Sequence, residues 1–284
     1  MSFIQDIQTY EFLQKALFTS VMVGIIAGVL GSFIILRGMS LMGDAISHAI
    51  LPGVAISYMM GISYFYGAVT FGLLTAFGIG FITQNSRIKN DTSIGIVFSA
   101  FFALGIILIG KANTSTDLTS ILFGNVLAVR DSDMWMTLGI GVVVLLVVFL
   151  FYKEFLVSTF DPTLAASYGL SNKAIHYVLM ILLTLVTVAS LQTVGIILVV
   201  AMLITPAATA YLLTNRLSVM IAISSVLGAL SAMIGLYISF IYNWPSGAAI
   251  VLVTTAFFLT ALLFSPKHGI VWRAWRVRKN KTVV

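Results

Sequence analysis

Nine stretches, nearly free of charge and each close to the ~20 apolar residues a helix needs to cross a bilayer, follow one another along this chain. They are roughly 15–36, 43–61, 63–83, 93–110, 134–152, 174–192, 194–214, 217–241 and 247–265. Of the 284 residues, 60% are hydrophobic and 8% charged, against about 25% charged in a soluble domain. The chain is expected to be an all-α, polytopic membrane protein, a single transmembrane domain over 1–284 surrounded by lipid. The run at 43–61 begins with polar residues and is the weakest of the nine. The runs at 174–192 and 194–214 are parted only by a hinge at "QTVG". The first run is too long for a cleavable signal and is expected to remain as a helix. There is no cysteine, which excludes disulfides, thiolate chemistry and cysteine-held metals.

The basic residues set the expected orientation. With the N-terminus outside, the inner connections hold Arg37, Arg87, Lys89, Lys153, Lys173 and Arg216, and the tail 266–284 adds six more Lys and Arg. Only Lys15, Lys111 and Arg130 fall outside, as the positive-inside rule requires. The C-terminus is then cytoplasmic. The formal net charge of +6 marks membrane topology, and no nucleic-acid partner is expected. The tail's "VWRAWRVRK" reads as an interfacial anchor.

Two connections are long. Residues 111–133 should lie outside, with a short helix around "SILFGNVLAV". Residues 153–173 should lie inside. There Asp161 is placed to cap a short helix, with Pro162 at its first position and Gly169 able to end it. A helix of this kind at 161–170 is read as a docking element.

The most informative stretch is "GDAISHAILPG", Gly43 to Gly53. Asp44 and His48, at i and i+4, share a helix face with Pro52. Ionisable residues at membrane depth are costly and point to function, and carboxylate plus imidazole suits a divalent transition metal. The residues alone leave a second reading open, in which Asp44 caps a helix in headgroup water and His48 is interfacial. Two ligands are too few for a metal site, but a symmetric pair of chains supplies four.

Other features are weaker. "GIILIGKA", Gly105 to Ala112, imitates a phosphate-binding loop but puts Ala112 where Ser or Thr must hold magnesium. In "TVGIILVVAMLITPAATA", Pro206 is read as a kink, with Thr205 and Thr209 beside the backbone groups it frees. Gly24, Gly28 and Gly31 favour close helix packing. The scattered Met residues are read as packing, His176 as interfacial and His268 as solvated.

In "LRGMSLMGDAISHAILPG", "FDPTLAASYGLS" and "VGIILVVAMLITPAATA", in that order, the chain resembles the permease subunits of ATP-binding-cassette importers for manganese, zinc and iron(II). The resemblance covers essentially the whole sequence. It implies a type II importer permease fold in a bacterial cell membrane. It implies a second copy of the chain, cytoplasmic ATPase subunits, an extracellular metal-binding lipoprotein, and no enzymatic activity on this subunit. Asp44 and His48 map onto residues implicated in passage of the ion, Mn(II) first and Zn(II) or Fe(II) as alternatives. Asp161, Pro162, Leu164, Ala165, Tyr168 and Gly169 map onto the segment that couples to the ATPase. No permanently bound cofactor is implied.

Two other classes compete. A proton-coupled secondary transporter should show inverted repeats with paired broken helices, and none stand out. An intramembrane metalloprotease needs a ligand set such as H-E-x-x-H in one chain, whereas this one has three His in all.

Overall fold

A computed structural model describes residues 9–111, 126–265 and 269. Every regular element among them is helical. In chain order they are α1 (Glu11–Leu36), α2 (Met42–Ala49), α3 (Leu51–Met60), α4 (Tyr64–Asn85), α5 (Asn90–Lys111), a 3-10 turn (Val126–Ala128), α6 (Asp131–Leu150), α7 (Tyr152–Phe160), α8 (Pro162–Ser167), α9 (Asn172–Val194), α10 (Ile196–Leu213), α11 (Leu217–Tyr242) and α12 (Ser246–Phe264). Eight of these, α1, α4, α5, α6 and α9 to α12, are long and apolar enough to cross a membrane.

The ninth expected span, 43–61, is two short helices. Ile50 at the joint keeps helical angles (φ −77°, ψ −12°). Pro52 has no N–H to return to the carbonyl of His48, four residues back, and its ring crowds that carbonyl. The α2–α3 segment is therefore interrupted directly after the Asp44–His48 pair. The hinge at "QTVG" resolves into a clean division. Gly195 alone separates α9 from α10, at φ 84° and ψ 164°, a region that residues with a Cβ avoid. Of the short helix expected around 120–129, only the 3-10 turn falls within the described residues, and the tail 266–284 lies outside them apart from Gly269.

Burial identifies the centre of the assembly. In α1, 72% of the apolar stretch is buried, against 22% for α5, α6 and α12. Large apolar side chains on the outer helices, such as Phe81, Phe149 and Leu252, stand exposed, as lipid-facing residues do. The most extensive contact among the described helices joins α1 to α11. A Cβ added at Gly24 would lie 2.7 Å from the Gly228 backbone, and one at Gly28 would lie 2.7 Å from that of Ser224. At Gly31 an added Cβ would run into the Leu203 carbonyl of α10. Serine hydroxyls bridge the seam so formed: Ser224 Oγ donates to the Gly28 carbonyl at 2.8 Å and lies 2.9 Å from Ser32 Oγ. Without a hydrophobic driving force between helices in lipid, such contact and hydrogen bonding hold them together.

Gly28→Leu must push the α1 and α11 backbones apart, whereas Gly139→Leu meets open space. The former should destabilise the fold by at least about 1–3 kcal/mol, the usual scale of overpacking, and the latter should be nearly silent. Thermal unfolding of the detergent-solubilised variants, followed by size-exclusion chromatography, checks this. Equal midpoints would show that the seam does not carry the fold.

Candidate functional site

Asp44 and His48 project from one face of α2, with His48 Nε2 3.5 Å from Asp44 Oδ1. That is within reach of an ion pair but long for a hydrogen bond. The cap of this helix is Leu41, which makes no side-chain capping bond. Asp44 therefore stands inside the first turn and does not cap it. Its side chain is 49% exposed and that of His48 30%, so the pair opens onto space.

That space is a cavity of about 490 Å³ beside Asp44 and His48. Its wall comes from α10 through Ile197, Val200, Ile204 and Thr205, and from α12 through Val251. Two ionisable groups and one threonine thus face an otherwise apolar chamber. Thr205, singled out beside the kink, shares the cavity. Pro206 is buried inside α10. Pro52 is buried at the start of α3, where its ring meets Gly105 of α5. Pro52 stands at the interruption between α2 and α3, Pro206 lies within the continuous helix α10, and Thr205 faces the chamber. Thr209 donates to the Thr205 carbonyl at 2.7 Å, not to the Met202 carbonyl that Pro206 leaves free.

The imidazole is fixed in an unusual way. Its Nδ1 is buried with no hydrogen-bond partner. A metal-bound imidazole commonly gives its far nitrogen to a carboxylate or carbonyl. Here the rings of Phe98 and Phe102, on α5, meet it edge-on at centroid distances of 5.9 and 5.8 Å. They leave Nε2 as the nitrogen turned towards Asp44. A cation on Nε2 requires the neutral ring to carry its proton on Nδ1. Nothing in the sequence marked Phe98 or Phe102, because aromatic residues in an apolar helix are ordinary. Among the described residues no group of three or more His, Cys, Asp or Glu side chains is close enough to hold a metal.

The second candidate segment folds as its sequence indicates. Asp161 Oδ1 accepts the backbone N–H of Thr163 at 3.1 Å and of Leu164 at 2.9 Å, and also the Thr163 hydroxyl. These bonds, the Thr163 hydroxyl first, hold the Asp161 carboxyl below the usual carboxylate range. The cap therefore contributes at neutral pH and is lost as the pH falls through that lowered value. Pro162 occupies the first turn. Gly169, at φ 78°, ends the helix as its N–H returns to Ala166 and that of Leu170 to Ala165, both at 3.0 Å. The helix is Pro162–Ser167, shorter than the 161–170 span. Ala165 is fully buried, while Leu164 and Tyr168 are exposed.

The stretch Gly105–Lys111 lies inside α5, so its glycines form no loop that could cradle a phosphate. His176 sits in the first turns of α9, half-buried, and His268 lies outside the described residues.

The family model for the ABC 3 transport family matches residues 9–265. The chain belongs to the ABC 3 transport family. Among its relatives in that family is the manganese transport system membrane protein MntC of Listeria monocytogenes, 70% identical over 272 residues, covering 96% of this chain and 97% of that one. The manganese import system permease protein ScaB of Streptococcus parasanguinis is 56% identical over 279 residues, covering 98% and 96%. Among solved structures, PsaBC from Streptococcus pneumoniae in complex with Fab superposes with a TM-score of 0.85 at 53% identity, covering 97% of this chain and 98% of that one. This member of the ABC 3 transport family is thus a multi-pass, all-α membrane subunit of an ABC transporter.

Proposed function

We propose that the chain is the permease subunit of an ATP-driven importer that moves Mn(II) into the cytoplasm, with Asp44 and His48 as the ligands the ion meets on its way. The observation that carries this reading is the pair itself, one carboxylate and one imidazole facing a chamber whose walls are apolar but for Thr205. An ion stripped of water there needs a compensating anion and a nitrogen donor, and a site built from so few ligands releases what it binds. Two chains, each giving one Asp–His pair across a two-fold axis, complete the coordination. The donor set admits Zn(II) and Fe(II) equally, and the manganese permeases among the relatives favour Mn(II).

The same reading gives the remaining parts their roles. The N-terminus is outside and the C-terminus cytoplasmic, so α8 faces the cytoplasm. Its exposed Leu164 and Tyr168 meet separate ATPase subunits, which hydrolyse ATP. A metal-binding lipoprotein delivers the ion on the outer face.

The deciding experiment measures cellular Mn, Zn and Fe together, by mass spectrometry, in a strain lacking the native copy and in the same strain with this chain restored. Manganese alone should fall in the deletion, by about tenfold or more in metal-poor medium, and recover on complementation. A selective loss of zinc or iron would reassign the cargo, and unchanged metals would refute the transport reading.

A further inference from the structure

Arg37 does more in this fold than mark the cytoplasmic side. It ends α1, and a tight backbone turn follows. The N–H groups of Arg37, Gly38 and Met39 return to the carbonyls of Phe33, Ile35 and Ile34 at 3.0, 3.1 and 2.9 Å. The Met42 N–H then returns to Met39 at 3.0 Å, so the link from α1 into α2, which carries Asp44 and His48, is short and hydrogen-bonded at both ends. The Arg37 side chain leaves this turn and crosses to α7. Its Nε donates to Thr159 Oγ1 at 3.0 Å and its Nη2 to Ser158 Oγ at 2.7 Å. Beneath it the rings of Phe33 and Phe155 pack with centroids 5.6 Å apart.

An arginine that only anchors a helix end extends its head into water. This one is half-buried, and among the described residues no carboxylate pairs with it. Burial pulls its guanidinium down to about 10, which leaves it charged and donating at neutral pH. Its two acceptors stand just before Asp161, the cap of α8. One side chain therefore touches both the segment leading into α8 and the turn leading into the Asp44–His48 helix, and a charged fork on two hydroxyls is stronger and more directional than neutral bonds.

We propose that Arg37 is a positioning residue that straps α7, and through it α8, to the turn that sets α2, so that displacement of α8 is passed to the Asp44–His48 pair. This rests on the transport reading above. Coupling between distant sites needs contiguous physical contact, and the strap supplies it.

The test uses the permease with its ATPase subunits in proteoliposomes supplied with Mn(II), with ion uptake and ATP hydrolysis measured together. Arg37→Lys keeps the positive charge that topology needs and loses the fork. Ser158→Ala with Thr159→Ala keeps the arginine and removes its acceptors. Each should lower the Mn(II) moved per ATP by about tenfold, the scale of a charged hydrogen bond, with membrane level and basal hydrolysis close to wild type. Because both changes cut one link, the triple variant should be no worse than either. Wild-type uptake per ATP in both variants would overturn the strap, and so would losses that simply multiply in the triple. If Arg37→Lys fails to reach the membrane, the hydroxyl variant decides alone. A wild-type complex with no Mn(II)-dependent uptake or hydrolysis would instead overturn the transport reading, and the strap with it.

Discussion

Asp44→Asn and His48→Ala should each cut Mn(II) uptake by at least about tenfold, the factor that 1.4 kcal/mol represents, with little loss of protein from the membrane. The Asn keeps the shape of the Asp and removes the charge that offsets the ion's desolvation. The Ala removes the nitrogen donor and leaves Phe98 and Phe102 facing a gap. A divalent cation leaving water with no compensating anion meets the larger penalty, so Asp44→Asn should be at least as severe as His48→Ala. Both side chains are partly exposed to the cavity and neither belongs to the packed core, which is why stability should hardly change. In a paired assembly each substitution removes two ligands at once. The competing forecast is equally definite. Asp44 lies in the first turn of α2, and a carboxylate whose only task is to favour that helix end contributes about 0.3–1 kcal/mol. Its replacement would then be almost silent in transport. Uptake of radioactive or isotopically labelled manganese, in a strain lacking the native copy and with membrane expression checked in parallel, separates the two. Near-normal uptake by both variants would leave the pair with no role in the passage of the ion.

What the sequence discloses about this fold depends on the kind of signal each part leaves. The eight long helices are legible because each run is apolar for its whole length. The division of 43–61 is legible only as weakness: polar residues at its start and Pro52 in its middle lower the signal for a single span. Asp44 and His48 stand out because charge and imidazole are rare in such a chain, and their i, i+4 spacing already fixes a common face. The Asp161 cap, Pro162 and Gly169 are a local grammar that needs no partner elsewhere in the chain. Apart from Thr205, the other side of the cavity left no trace. Ile197, Ile204 and Val251 stand in helices that are apolar all round, so nothing in their order says which face turns inward. The glycines of α1 indicated close packing, but not that Gly228 and Ser224 of α11 would be the partners. Arg37 was legible as a topological charge, yet its bonds to Ser158 and Thr159 join positions far apart in sequence that no local pattern connects. Lys15 shows the same division. Its pair with Glu11 at 2.7 Å is an i, i+4 contact that spacing allows, while its bond to Asp131 at 2.6 Å, which ties α1 to α6, exists only in the fold.

Ala165→Pro should uncouple ATP hydrolysis from transport while leaving the membrane-spanning helices intact. The N–H of Ala165 donates to the Asp161 carbonyl at 3.0 Å, closing the turn that the Asp161 side chain caps. Proline removes that donor and sets its ring against the same carbonyl, a change worth about 3 kcal/mol in a helix interior. A helix running only from Pro162 to Ser167 has no reserve of other turns to absorb it. Ala165 is also the buried side chain of the segment, whereas Leu164 and Tyr168 point outward, so loss of the turn misplaces the outward pair. If Leu164 and Tyr168 are the surface that meets the ATPase, the proline variant should lose most Mn(II) uptake and the stimulation of hydrolysis by the loaded transporter, while basal hydrolysis by the ATPase continues. Leu164→Asp separates surface from scaffold, since that side chain is 43% exposed and its change leaves the helix bonds in place. The same loss of stimulated hydrolysis from Leu164→Asp would place the contact on this face. Thermal unfolding of both variants should stay close to wild type, because neither change touches the α1–α11 seam. Stimulated hydrolysis and uptake at wild-type levels in Ala165→Pro would mean that α8 is only a connection between α7 and α9, and that the ATPase engages the permease elsewhere.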